Sequence, residues 1–477
     1  MNDAFAIVSR VAAGASPSIR AEALSSPPAS TNRSSRWAAA LGVVAAAFGL
    51  PAGQDPLAAP VGLAPAWNGL RAAHAADWYV DAAAPAAGSG RSRQAAWHRF
   101  ADIDWSLLGP GDTLHIVGDA CDPPYKETLM PAAAGREGAP LVIAGLSRTG
   151  NGLPVIDGEN QRRFGVALVR RNHVTLRGLM LRNHAEAGVT VRGAEAGVLV
   201  EGNRIFSGDP GGGNARGIDA RGNAGLRPLI VRANRYGTPP DTKAQTDGIW
   251  SSDNDGVVFE DNILIVSNND SHGHSDGFQS FRDRTILVRR NWIEQANTAA
   301  HHNHGVWIEN TRNGGVVEVS GNVVLAPNLT GDAVVAHFMR EGWTEQGTVI
   351  LRNNTIWGGR RSIYLENSPA AQVRDNIIVA AEGGHAAVVL KARPPPGSFD
   401  GNLLWAPSAA IAYLGDRNLS WAQWRGLGYD ANGVNADPPR DPSGAPALRA
   451  TARAGRGAAI APPEREELAF ANCPRRR

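Results

Sequence analysis

The chain has 477 residues, of which 43% are hydrophobic, and 47 Lys and Arg against 45 Asp and Glu leave a formal net charge of +2. That balance excludes a general polyelectrolyte. With neither a basic stripe bearing interleaved aromatics nor a recognition-helix pattern, nucleic acid is excluded as a partner. The two cysteines, Cys121 and Cys473, carry no zinc-type spacing.

Residues 1–76 are rich in Ala, Ser and Pro and read as a targeting, low-complexity region. Within them Arg33 and Arg36 precede an uncharged apolar stretch of 14 residues, 37–50. This is short for a membrane span and suits a signal-peptide core. The 36 residues ahead of it exceed an ordinary n-region, so either initiation falls later or the segment is an anchor. The expected reading is export, to the periplasm or beyond, with no stable membrane span after processing. Residues 77–460 form the second region, and 461–477, ending in three Arg, read as a flexible tail.

The second region opens with a strand at 77–81. Trp97, Phe100, Ile103 and Leu107 then recur at helical spacing and predict an amphipathic cap for the open end of a sheet stack. Short, alternating, β-branched runs follow, such as Val174-Thr175-Leu176, Val257-Val258-Phe259 and Val349-Ile350-Leu351, punctuated by Gly, Asn and Asp. They end in Asn at Asn203, Asn234, Asn262, Asn291, Asn322 and Asn353, with steps of 31, 28, 29, 31 and 31 residues. A second marker, Asp247-Gly248, Asp276-Gly277, His304-Gly305 and Asp332-Ala333, recurs in phase at steps of 29, 28 and 28. Such a period signals a solenoid, in which each repeat buries its apolar face on its neighbours. Two or three short strands per repeat predict a parallel β-helix, with the Asn taking left-handed bends and stacking into a ladder. Near the far end, residues 420–428 read as another amphipathic piece. Cys121 and Cys473 fall at opposite ends of the solenoid, so no disulfide between them is expected unless the tail folds back.

The runs Asp247-Gly248-Ile249, Val257-Val258-Phe259-Glu260-Asp261-Asn262, Asp276-Gly277-Phe278 and Ile286-Leu287-Val288-Arg289-Arg290-Asn291 resemble the right-handed parallel β-helix proteins of the pectin-lyase-like superfamily. The resemblance covers roughly residues 77–460. It implies an exported lyase, epimerase or hydrolase acting on a polysaccharide, although the superfamily also holds adhesins and tailspikes. Gln245-Thr246-Asp247-Gly248 is similar to the Asn-Thr-Asp-Gly motif of polygalacturonases, which implies catalysis by Asp247. The Asp-Asp pair and the Arg-Ile-Lys motif of that family are absent here.

Stacking the repeats on the Gly after each acidic residue places Arg216, Asp247, Asp276, His304, Asp332 and Arg361 in one column. Trp250, Gln279, Trp307, Val335 and Tyr364 form an outward column, and Ser252, Phe281, Glu309, His337 and Glu366 another. Trp250, Trp307 and Tyr364 offer ring faces to sugars, with Gln279, Glu309 and His274 as further substrate contacts. The stacked carboxylates Asp247 and Asp276 need a shared proton, a cation such as Ca²⁺, or cationic neighbours. His304 or His337 is the expected base, with His274 behind them and Arg282 and Arg340 to neutralise a sugar carboxylate. The expected activity is β-elimination or C5 epimerisation of a uronate-containing polysaccharide. A polygalacturonase-type glycoside hydrolase and a non-catalytic glycan-binding surface protein are the alternatives.

Overall fold

Three parallel sheets wind around one apolar core. The computed structural model describes residues 75–86, 88–150, 152–206, 214–239, 242, 245–267, 275–295, 303–327, 331–337, 347–368, 370–439, 456–458, 460 and 463. Residues 1–74 of the targeting region, the tail apart from Pro463, His274 and Arg340 therefore lie outside the described residues, and only the backbone of His337 is described. Among the described residues the first sheet has twelve strands and starts at Asp77–Asp81; the second, from Val155–Asp157, and the third, from Phe164–Val169, have eleven each. Nearly every pairing is parallel and joins equivalent strands of successive turns; the exception is antiparallel, where Arg417–Leu419 returns on Ala410–Leu414 at the end of the third sheet. The expected all-β parallel β-helix is thus present, and no helix among the described residues is long and apolar enough to cross a membrane.

The core follows from the alternation. Ile249, Phe278, Val306, Val334 and Ile363 pair rung on rung and are buried, each burying apolar area worth ~1.5–3 kcal/mol. The marker glycines also have a packing reason. A Cβ at Gly277 would lie 2.2 Å from Ile293 of the second sheet, and one at Gly305 2.4 Å from Val324. The corner therefore excludes a side chain at these positions.

The Asn ladder is continuous, with one change of register. Asn203, Asn234, Asn262, Asn291 and Asn322 each donate their backbone N–H to the Oδ1 of the next, at 2.8–3.1 Å. The acceptor above Asn322 is Asn354, not Asn353, and the column continues through Asn376 and Asn402 to Asp430. Of the ladder's members only the terminal Asp430 takes the left-handed bend, with φ 49°; the Asn do not. The residue before each does: Ala233, Asp261, Arg290, Asn353 and Asp375 have φ between 52° and 56°, while glycine holds that place at 202, 321 and 401. The bend turns the following amide into the interior, where burial demands a partner.

Both ends are closed by aromatics. The predicted N-terminal cap is wound as two 3-10 turns, Phe100–Asp102 and Trp105–Leu107, set by the Arg99/Asp102 capping box and by the Asp104 cap on Ser106. Trp97, Phe100 and Ile103 are buried, Trp97 stacking on Trp78 at 5.3 Å, but Leu107 is 45% exposed because the tighter turn rotates it off the apolar face. At the other end, helix Trp421–Gly426 is capped by Ser420 and Gln423 and buries Trp424 against Phe399 and Tyr429. The Trp424 indole donates to Asp430, the last ladder acceptor, at 2.9 Å.

Cys121 is disulfide-bonded, the outcome expected only where the tail folds back. Residues 456–458 do run back over the solenoid: Arg456 donates to the Asn432 carbonyl at 2.8 Å and Gly457 to that of Asp375 at 2.9 Å.

Candidate functional site

The third sheet carries the charged columns. Its strands Gln245–Ser252, Asp276–Phe281, His304–Glu309, Asp332–His337 and Arg361–Glu366 lie side by side in the register predicted from the repeats. Arg216 pairs with Asp247, Asp276 with His304, and His304 with Asp332. Trp250 pairs with Gln279, Gln279 with Trp307, Trp307 with Val335, and Val335 with Tyr364. Glu309 pairs with Phe281 on one side and His337 on the other.

Within the marker column the acids and bases are hydrogen-bonded in series. The fully buried Asp276 accepts on Oδ1 from both the backbone N–H of His304, at 3.0 Å, and its ring Nδ1, at 2.9 Å. A carboxylate against Nδ1 favours the tautomer with its proton there. Asp247, also fully buried, accepts the Asp276 backbone N–H at 3.1 Å and faces the Arg216 guanidinium at 3.6 Å. Burial pulls the Arg216 pKa below its usual value, against the attraction of Asp247 and Asp219. Two rungs on, Arg361 grips both oxygens of Asp332.

The rings line the same face. His304 meets the edge of Trp307 at 4.3 Å, and the Arg216 guanidinium lies 4.3 Å from the Trp250 ring. Trp250 and Trp307 are half-buried, whereas Gln279 and Tyr364 are buried. Trp250 Nε1, Gln279 Oε1 and Arg216 Nε are buried with no hydrogen-bond partner among the described residues. The Tyr364 hydroxyl donates to Glu366 at 2.7 Å, and its ring lies under Arg361 at 3.7 Å, in an apolar cluster with Val335 and Val389. Arg282 sits at the far end of the strand that Asp276 opens, on a left-handed bend, and pairs with Asp253 at 3.0 Å.

Glu309 supplies a titratable group on the same face. Burial pushes its carboxyl up to about 7, and the Asp276 carboxylate adds repulsion in the same direction. Between the ordinary carboxyl value of 4.5 and about 7 the folded chain keeps a proton that the unfolded chain has released. By linkage this contribution to stability is full below the lower value, declines as pH rises through the window, and is gone above the upper one. Glu309→Gln cannot ionise, so its Tm relative to wild type should rise as pH goes from 5 to 8. A difference that stays constant over that range would disprove the assignment.

The neighbouring rung toward the N-terminus holds a group that the sequence reading passed over. Asp219 pairs with Trp250 in register, is 1% exposed, and accepts from Thr190, Arg192 and Arg221 at 2.6–2.9 Å. Extending the outward column one repeat earlier would have found it. No group of three or more His, Cys, Asp or Glu converges on a metal position among the described residues.

No family model matches the sequence, and no curated protein matches it. Among solved structures the chain is similar to the pectate lyase Pel9A, with TM-score 0.43 and 13% identity, covering 72% of this chain and 82% of that one. It is also similar to XylC in complex with xylose, with TM-score 0.41 and 10% identity, covering 64% and 76%. A rhamnogalacturonan lyase matches at TM-score 0.37 and 12% identity, covering 83% and 98%. At these scores and identities the likenesses carry no argument about activity.

Proposed function

We propose that the chain is an exported enzyme that removes the C5 proton of a uronate in an acidic polysaccharide, leading to β-elimination or epimerisation. The observation that carries this reading is the buried Asp276–His304 pair, with His304 against Trp307 and Trp250 on the same sheet face. Asp276 orients the imidazole, so that Nε2 takes the C5 proton. The electron pair of the broken C–H bond then forms a C4–C5 double bond as the O4 linkage leaves, or a proton returns to the opposite face of C5. Glu309, protonated over much of the range below 7, is the candidate acid on this face for the departing oxygen or the carbanion. Trp250 and Trp307 supply apolar faces for sugar rings, and the unpartnered polar atoms of Trp250, Gln279 and Arg216 suit sugar hydroxyls and carboxylate. Arg216 is the cation that supports neutralising the uronate carboxylate in this reading.

Ca²⁺ at Asp247 and Asp276 fits less well. The ion takes six to eight oxygens, whereas one oxygen of each carboxylate already accepts an N–H and Arg216 stands beside Asp247. No step is routed through it.

The test is a screen of the mature protein against uronate-containing polymers, with and without Ca²⁺ and chelator. An unsaturated-uronate absorbance, or a change in uronate configuration, is the expected result. Reducing ends without unsaturation would replace the proposal with hydrolysis. Binding without turnover on any polymer would replace it with a glycan-binding role.

A further inference from the structure

Cys121 and Cys473 are the only cysteines of the chain, and Cys121 is disulfide-bonded. The C-terminal segment also runs back over the second sheet instead of leaving the solenoid. Arg456 donates to the carbonyls of Gly401 and Asn432, Gly457 to that of Asp375, and the Ala458 backbone N–H to Thr355 Oγ1 at 3.1 Å. Asn432, Gly401 and Asp375 each lie just ahead of a strand of the second sheet, and Thr355 opens the next one: Val434–Asn435, Leu403–Trp405, Ile377–Val379 and Thr355–Gly358. These strands are neighbours in that order, so residues 456–458 descend the solenoid rung by rung. Ala458 is fully buried with Trp292, Val323 and Leu325, and Ile460 packs on the same cluster beside Ile263 and Trp357.

The row followed by this segment ends near Cys121. Tyr125 bridges Ile156, in the first strand of the second sheet, and so adds one rung beyond it, four residues after Cys121. From the rung of Ile263 to that of Tyr125 is five strand spacings, ~24 Å. The 13 residues from Ile460 to Cys473 reach up to ~43 Å when extended, so the span is covered with slack.

We propose that the C-terminal segment is a strap along the second sheet, locked by a disulfide between Cys473 and Cys121 that ties the last turns of the solenoid to the first. In forming it, two thiols lose two protons and two electrons to a disulfide-bearing oxidant, whose own S–S bond is reduced to two thiols. The strap covers the Trp292 cluster, and its lock requires folding in an oxidising compartment. This inference is independent of the proposed activity and stands or falls without it.

The test uses the full chain expressed in an oxidising compartment. A non-reducing tryptic digest should contain the peptide 100–126 joined to the peptide 466–475, and reduction should separate them. Cys473→Ser should keep the far-ultraviolet circular dichroism of the wild type, lower Tm by about 5 °C, and speed cleavage after Arg456 and Arg465 roughly tenfold. Reduced wild type should show the same faster cleavage, which keeps the test open if the variant folds poorly. Two alkylatable thiols in the denatured, unreduced chain would overturn the proposal. So would disulfide-linked dimers on a non-reducing gel, or unchanged tail cleavage after reduction.

Discussion

His304→Ala is expected to lower turnover on the polymer identified by the screen by about 10³-fold, within the range for loss of a general base. Its Tm should fall by no more than several degrees, because the imidazole, though buried, takes no part in the core stack of Phe278 and Val306 and the backbone N–H at 304 still serves Asp276. Asp276→Asn tests the orienting role separately. An amide can still lie beside Nδ1, but it no longer stabilises the imidazolium that forms as the C5 proton is taken, and it can turn an N–H toward the ring and reverse the tautomer. Turnover should fall by about two to three orders of magnitude, with KM changed much less than kcat. If both variants retain activity within tenfold of wild type, the Asp276–His304 pair is not the base and the proposed chemistry fails with it.

Asn262→Ala should destabilise the fold by about 3–5 kcal/mol. Asn262 Oδ1 accepts the backbone N–H of Asn234 at 3.0 Å and its Nδ2 at 3.1 Å, while Asn262 Nδ2 donates to the Val231 carbonyl and to Asn291 Oδ1. Alanine takes the side-chain partner from the buried Asn234 backbone N–H and from the Val231 carbonyl, each costing ~1–3 kcal/mol, while Asn234 Nδ2 keeps the Val200 and Arg232 carbonyls. Denaturant unfolding measures the loss, with Asn418→Ala, an exposed strand residue, as the control expected within ±0.5 kcal/mol of wild type. A loss below 1 kcal/mol at Asn262 would mean that the ladder is not a main support of the bends.

The legible part of this protein is the part governed by repetition. Because equivalent residues of successive turns stack, counting from Asp247 to Asp276 to His304 was enough to place the three on adjacent rungs, and the register of Trp250, Gln279, Trp307 and Tyr364 followed from two-residue alternation. What repetition does not encode is what lies beside the column. Arg216 was in the expected column, but its contact with both Asp247 and Trp250 depends on how its side chain folds over the sheet. Tyr364 shows the same limit: its phase put it on the outer face, yet Arg361, Glu366 and the neighbouring apolar residues enclose it.

The one-residue shift from Asn353 to Asn354 has a similar origin. Two adjacent Asn satisfy the same sequence marker, and only the bend decides that the first takes the left-handed position while the second enters the ladder. By itself the sequence determined the solenoid, its period, its register and the face that gathers acids, imidazole and indoles, since each of these follows from local pattern repeated along the chain. Only the tertiary structure decided that Asp276 grips His304, that burial lifts the Glu309 carboxyl, and that the C-terminal segment returns along the second sheet toward the end that holds Cys121. Those depend on desolvation and on contacts between residues far apart in the chain, which no periodicity records.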